Sequence, residues 1–185
     1  VVTAAPASAG LTPPPVALAR IWGWLEQVPD PEIPVISVVD LGIVRDLRWV
    51  PAGGAEELEV TITPTYSGCP ATDVIGANIR EALAGHGIRQ VRLRQQLAPA
   101  WTTDWLSAAG RSKLAAYGIA PPQQASGEQV VDASRILRGV RAPQVPCPRC
   151  ASADTELVSE FGSTPCKALY RCRQCLEPFD YFKRH

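Results

Sequence analysis

Four cysteines near the end of the chain fall into two C-x-x-C pairs, Cys147-Pro148-Arg149-Cys150 and Cys172-Arg173-Gln174-Cys175, with 21 residues between the pairs. No other feature limits the fold as sharply. The stretch from Cys147 onward is too small to bury a core of its own and needs a staple. Two knuckles with two thiols each, separated by enough chain for a hairpin, close the four-sulfur tetrahedron of a structural Zn²⁺. A redox disulfide needs one C-x-x-C and leaves the second unexplained. Residues 155–159 and 168–171 supply the strands of the expected hairpin. Four thiolates also accept iron, so the spacing alone leaves the metal open. A further cysteine in this segment, Cys166, has two readings. It is an additional thiol beside the site, open to ligand exchange or iron–sulfur chemistry, or it is a small apolar residue packed against the hairpin.

The remainder of the chain has room for one domain. Of 185 residues, 46% are hydrophobic, enough for a real core, and 18 Lys and Arg balance 18 Asp and Glu,. The segment from Cys147 on carries six basic against five acidic residues, so the basic stripe of a nucleic-acid-binding ribbon is missing,. No apolar run approaches the roughly 20 residues that span a bilayer. The opening VVTAAPASAG has neither a basic n-region nor a long apolar h-region,. The expected compartment is the reducing cytoplasm, where paired cysteines hold metal more often than disulfides.

Patterning predicts an α+β domain over residues 15–120, preceded by a disordered N-terminus (1–14) and followed by a linker (121–145) and a zinc ribbon (146–185). Leu18, Ile21, Trp22 and Leu25 recur at helical spacing. Asp30-Pro31-Glu32-Ile33-Pro34 cannot be helical, because each proline pushes its predecessor into extended geometry. Leu41, Ile43, Leu47 and Trp49, then Leu58, Val60 and Ile62, alternate as a hairpin with one buried and one wet face. Pro70 opens a helix to about Leu83, residues 91–97 alternate as a third strand, and Thr103 or Asp104 caps a last helix ending at Tyr117-Gly118. The order is α-β-β-α-β-α. The linker is rich in Pro, Gln, Gly and Ser, with room for one short helix near Ile136-Leu137.

Cys69 stands apart from the other cysteines, in Thr65-Tyr66-Ser67-Gly68-Cys69-Pro70. Proline at the first helical position makes Cys69 the expected N-cap, where the free N–H groups and the partial positive charge favour a thiolate. Nucleophilic catalysis wants a base nearby. His86 lies at the far end of the same helix, roughly 25 Å away by helical rise, and reads as a solvated helix-end residue. Metal ligation or transfer therefore fits Cys69 better than hydrolysis, with a buried inert thiol as the plain alternative. Asp30 and Glu32 are able to ligate through oxygen or move protons, and the plain account is ordinary turn chemistry. Asp40 has the same plain reading, at the approach to the strand.

With these residues in view, the chain resembles a known family. Asp30-Pro-Glu-Ile-Pro-Val35, Val39-Asp-Leu-Gly-Ile-Val44 and Thr65-x-x-x-Cys69-Pro70 resemble the metal–sulfur cluster assembly family that includes SufT. Residues 64–72, Pro99-Ala-Trp-Thr-Thr-Asp-Trp105, Tyr117-Gly-Ile-Ala-Pro121 and the tail from Glu160-Phe-Gly-Ser-Thr through Glu177-Pro-Phe-Asp-Tyr-Phe182 extend the likeness to the PaaD (PaaJ) family of bacterial aerobic phenylacetate degradation. The resemblance covers about residues 15 to 183.

The resemblance implies an accessory protein of the phenylacetyl-CoA epoxidase, a di-iron oxygenase whose reductase carries an iron–sulfur cluster. Its members are thought to help mature or maintain those metal centres without being enzymes themselves. It carries iron or cluster transfer onto Cys69, the acidic loop onto Asp30 and Glu32, and a threonine onto Thr65. The implied partners are the epoxidase subunits and the cluster-assembly machinery, with a homo-oligomer expected. One thiolate cannot complete a cluster's ligand set, so a second copy, a small thiol or the acidic loop must help. The family often carries a cysteine after the Tyr-Phe-Lys segment, where Arg184 and His185 stand in this chain. The competing reading is a structural or docking subunit of the oxygenase with no transfer role. A catalytic oxygenase subunit is disfavoured, because the Glu-x-x-His ligands of helical di-iron sites are missing.

Overall fold

The computed structural model describes residues 15–123 and 145–184. The N-terminus of residues 1–14, the short helix expected near Ile136-Leu137 with most of the linker, and His185 lie outside the described residues.

Helix α1 (Leu18–Leu25) buries Ile21 and Leu25 in the core of the domain. Trp49 Nε1 donates to the Val16 carbonyl and ties down its start (3.0 Å). The proline-rich loop then folds inward. Ile33, Ile36 and Val38 are buried, and Asp30 N–H donates to the Ile36 carbonyl (2.8 Å). Leu41 and Ile43 are buried as expected, but they precede the strand, which is β1 (Val44–Ala52). It pairs antiparallel with β2 (Ala55–Ile62), and β2 pairs parallel with β3 (Val91–Gln95) through the crossover helix α2 (Ala71–Gly85). Ile75, Ile79 and Leu83 of α2 meet the core cluster containing Leu58, Val60 and Ile62. The third strand is shorter than its alternation suggested, and Leu97 is left exposed.

The outer face of the hairpin departs from the expected wet surface. Glu59 is only 4% exposed on the central strand. Arg48 and Arg92 stand beside it in register on the two neighbouring strands, and Arg94 lies 3.4 Å from its carboxylate. A central position lets three arginine stems converge over one carboxylate, which covers apolar surface that an edge strand would leave open.

Beyond β3 the chain wraps back over the loop before β1. Trp101 Nε1 donates to the Leu41 carbonyl (2.9 Å), and the Arg45 guanidinium sits 3.6 Å over the Trp105 ring. Gly42 permits this approach. Its φ is +67°, and a Cβ there would stand 2.6 Å from the Trp105 carbonyl oxygen. Thr103 and Asp104 belong to a separate 3-10 turn, so the expected cap moves. Helix α3 (Ala108–Tyr117) is capped by Ser107, whose Oγ accepts the Gly110 amide (2.8 Å). Asp40 is more than a strand approach. It accepts from Ser107 Oγ (2.7 Å) and from Lys113 Nζ, so it anchors α3 to the loop before β1.

The C-terminal ribbon is a three-stranded antiparallel sheet in the order β4 (Thr155–Ser159), β5 (Lys167–Cys172), β6 (Pro178–Phe182). Two strands were expected, and the third decides how the ribbon sits. Tyr181 belongs to the ribbon's own small cluster with Tyr170 and Phe179, while the adjacent Phe182 joins the core of the N-terminal domain. Successive strand residues face opposite sides, so β6 is covered on both faces. Backbone bonds complete the seam: Ala120 N–H donates to the Asp180 carbonyl (2.8 Å) and Phe182 N–H to the Ala120 carbonyl (2.9 Å).

Candidate functional site

The sequence singles out two groups of candidate site residues, and the structure places them toward opposite ends of β5. In the first, Cys147, Cys150, Cys172 and Cys175 gather their sulfurs within 4.8 Å of one another. Cys147 and Cys175 are 3.7 Å apart, Cys150 and Cys172 3.5 Å. A tetrahedron with metal–sulfur bonds near 2.3 Å has sulfur–sulfur edges of about 3.8 Å, so the quartet fits a closed four-thiolate site.

Two matching turns build it. Cys147 N–H donates to the Ser152 carbonyl (2.9 Å), and Cys172 N–H donates to the Glu177 carbonyl (3.0 Å). Each turn closes through a left-handed residue just after its second cysteine, Ala151 at φ 61° and Leu176 at φ 65°. The Cys175 amide donates to Cys172 Sγ (3.4 Å) and, with the Gln174 amide, brings that thiol down to about 6. Amides aimed at a sulfur favour its metal-binding thiolate form.

The second centre is a cavity of about 20 Å³ in the N-terminal domain, lined among others by Asp30, Glu32, Thr65, Cys69, Cys166 and Phe182. Its free space is of the order that holds one water. The four residues that resemblance singled out therefore share one wall system. Asp30 is 6% exposed, and its Oδ1 accepts the amides of Glu32 (3.0 Å) and Ile33 (2.8 Å). That is the turn chemistry given as its plain reading. Burial pushes the Asp30 carboxyl above its usual range, against the pull of those amides and of Lys167. Glu32 is exposed at the rim and is also raised, by partial burial and the Asp30 charge.

Cys69 is half-buried, after Gly68 at φ 91°. It is not the helix N-cap. Pro70 takes that position with helical dihedrals, because its ring fixes φ near the helical value and the helix begins one residue later than expected,. The Tyr66 hydroxyl is pushed up to about 12 by burial and by Cys69 beside it. His86 ends α2 exposed to solvent, stacked on Trp24 with ring centres 4.0 Å apart.

Cys166 sits where the ribbon meets the N-terminal domain. It lies outside the cysteine quartet, and it packs into the core of the other domain, 6% exposed. Its thiol is raised by burial, against a pull from Thr164, whose Oγ1 is 3.0 Å from the sulfur. The next residue, Lys167, is 4% exposed and pairs with Asp180 at 3.5 Å. Sequence reasoning missed this junction. Its one legible signal is the pair Tyr181-Phe182, since a small ribbon cannot bury adjacent aromatics on both faces unless something else covers it.

Comparison with known proteins agrees with this two-part architecture. The family of iron–sulfur cluster assembly proteins matches residues 18–92, and the PaaD zinc β-ribbon domain matches residues 132–183. A protein of Escherichia coli (strain K12), named as a putative subunit of 1,2-phenylacetyl-CoA epoxidase, is 49% identical over 95% of this chain and 96% of its own length. The Fe-S protein maturation auxiliary factor YitW of Bacillus subtilis (strain 168) is 35% identical over 48% of this chain and 83% of its own. The crystal structure of a domain of unknown function, DUF59, from Bacillus anthracis overlaps 52% of this chain and 89% of its own, with 23% identity and a TM-score of 0.46.

Proposed function

The chain belongs to the PaaD family, and from that premise we propose that it is an accessory protein of a phenylacetyl-CoA epoxidase which helps assemble or maintain that complex's iron or iron–sulfur centres. The observation that carries the reading is the cavity that joins Cys69 to Asp30, Glu32 and Thr65 in the cluster-assembly part of the chain. Iron or a small cluster is the cargo. A soft thiolate holds it, and the carboxylates at the rim offer weaker oxygen ligands that release it readily. The protein is not the oxygenase in this reading. It works in the cytoplasm beside the epoxidase subunits and the cluster-assembly machinery, as a homo-oligomer.

The ribbon quartet fits zinc, and Cys147, Cys150, Cys172 and Cys175 hold it in this reading,. When bound, zinc supplies folding energy and no chemistry. The knuckle turns hold the four sulfurs together, and β5 and β6 carry the ribbon onto the N-terminal domain. Among the described residues no helix is long and apolar enough to cross a membrane.

The test is epoxidase maturation in a strain carrying Cys69→Ala. The expected outcome is a stable, folded variant with epoxidase that lacks its iron complement and its activity. Normal iron content and activity would overturn the transfer role. A second reading, as a docking component of the complex, is favoured by the exposed Leu157, Val158 and Phe161 on and just after β4. It expects co-purification with the epoxidase that depends on those residues and is indifferent to Cys69.

A further inference from the structure

Cys166 is the ribbon segment's one thiol outside the quartet, and it is spent on the neighbouring domain. It reaches the same cavity as Cys69, so two sulfurs from distant parts of the chain face one small space. We propose that Cys69 and Cys166 form a composite two-thiol site, completed by Glu32, for a single soft divalent metal ion such as Fe²⁺. This rests on the cargo reading above and names its second protein ligand, so the gap left by a lone thiolate is filled within one chain.

Four observations carry it. The donors differ in kind from those of an ordinary turn: two sulfurs for a soft metal, and a carboxylate at the rim,. The cavity's 20 Å³ is enough for a single ion. Charge is favourable on balance: two carboxylates, Asp30 and Glu32, line the cavity, and the Lys167 charge that acts on both is shared with Asp180 at 3.5 Å. The ligands also divide their labour. Asp30 Oδ1 is held by two backbone amides and fixes the loop, while Glu32, exposed, is able to swing inward.

Among the described residues only the ribbon quartet brings three or more such donors within 4.8 Å. Cys69, Cys166 and Glu32 do not all lie within that distance, so binding one ion requires the donors to close on it, with Glu32 swinging inward. On binding, each sulfur–metal bond replaces an S–H bond and the two protons pass to solvent. Burial keeps Cys166 protonated until a metal displaces its proton.

The experiment uses the full chain, reduced and anaerobic, with the ribbon first loaded with zinc, titrated with Co²⁺ as the probe. The wild type is expected to take a second metal ion with a thiolate-to-cobalt charge-transfer band while its zinc stays in place. Cys69→Ser and Cys166→Ser are each expected to weaken Co²⁺ binding at least tenfold, roughly, and to reduce that band. Cys166→Ala serves as a second variant, because it adds no hydroxyl to a buried wall, and retained zinc certifies that the ribbon is folded. Unchanged cobalt affinity and band in both Cys166 variants, with loss in Cys69→Ser, would overturn the composite site and leave the cargo reading standing. No second metal in the wild type would overturn the composite site, while the cargo reading stands or falls with epoxidase maturation in Cys69→Ala.

Discussion

The N-terminal domain holds itself together by burial, with Ile21, Leu25, Leu58, Ile79, Leu83 and Leu114 packed into one continuous core. The ribbon has a far smaller cluster around Tyr170, and two of its members, Cys147 and Cys172, belong to the metal quartet. One part is stable because of what it excludes, while the other gathers four cysteines that fit a structural metal,. The contrast teaches that the part with the four-cysteine cluster need not be an appendage. Through Phe182 and Cys166 it completes the core and the cavity of the part that does not need a metal.

The largest effect expected is on the ribbon alone. Cys172→Ser removes one corner of the quartet, and structural zinc in such modules contributes on the order of 10–16 kcal/mol. The ribbon should lose its metal and become protease-sensitive while the helical circular dichroism of α1, α2 and α3 persists. Full metal content in the variant would erase the distinction between the two parts.

Next comes the seam. Phe182 is 1% exposed and tilted against Trp101, with ring centres 6.0 Å apart. Phe182→Ala should cost about 3–5 kcal/mol in urea unfolding. A cost below about 1 kcal/mol would mean that the ribbon merely leans on the domain.

A smaller effect is expected inside the N-terminal domain, at Asp40. Burial raises its carboxyl, but Lys113, Ser107 and the Ser37 amide outweigh burial and hold it below its ordinary 3.8. A depressed carboxyl stabilises fully above its unfolded value, and that contribution fades as pH falls below 3.8 through the lower folded value,. Asp40→Asn should cost about 2 kcal/mol at neutral pH and flatten this acid limb of the stability curve. An unaltered acid limb would assign the acid loss to other carboxylates.

The smallest change returns to the ribbon. Leu176 holds φ 65° with its side chain 61% exposed. Leu176→Gly relieves a left-handed β-carbon at little loss of burial, so metal should bind about 1 kcal/mol tighter in competition with a chelator. Weaker binding would show that the turn tolerates leucine without strain.

These contrasts also explain what could be read from sequence. The quartet and the order of helices and strands were legible because spacing and periodicity are local properties. Cys147, Cys150, Cys172 and Cys175 announce each other, and Leu58, Val60 and Ile62 announce their buried face. Glu59 was not legible as a buried residue, because its three arginines come from both flanking strands and only sheet order brings them together. Nor was the helix cap at Ser107, since Thr103 and Asp104 offer equally good capping chemistry a few residues earlier. Cys69, Asp30 and Glu32 were singled out from local chemistry, only a family likeness gave them a joint role and added Thr65, and the cavity that unites them needs the tertiary fold. Cys166 was the most hidden, because its immediate neighbours in sequence give no hint of the domain it enters.

One strand links the two thiol centres. β5 begins beside Cys166 and ends at Cys172, six residues on. At about 3.4 Å per residue the two positions stand about 20 Å apart, too far for sulfur to exchange with sulfur. What such a strand passes along is placement, and this imposes an order of events. Cys166 has a fixed address only after the ribbon has closed on its own metal. On the proposed cargo role, and with zinc as the ribbon's metal, a newly made chain in a zinc-starved cell would keep its N-terminal helices and its Cys69, yet be unable to accept cargo. The strand would then be a checkpoint, in which the supply of one metal licenses the handling of another.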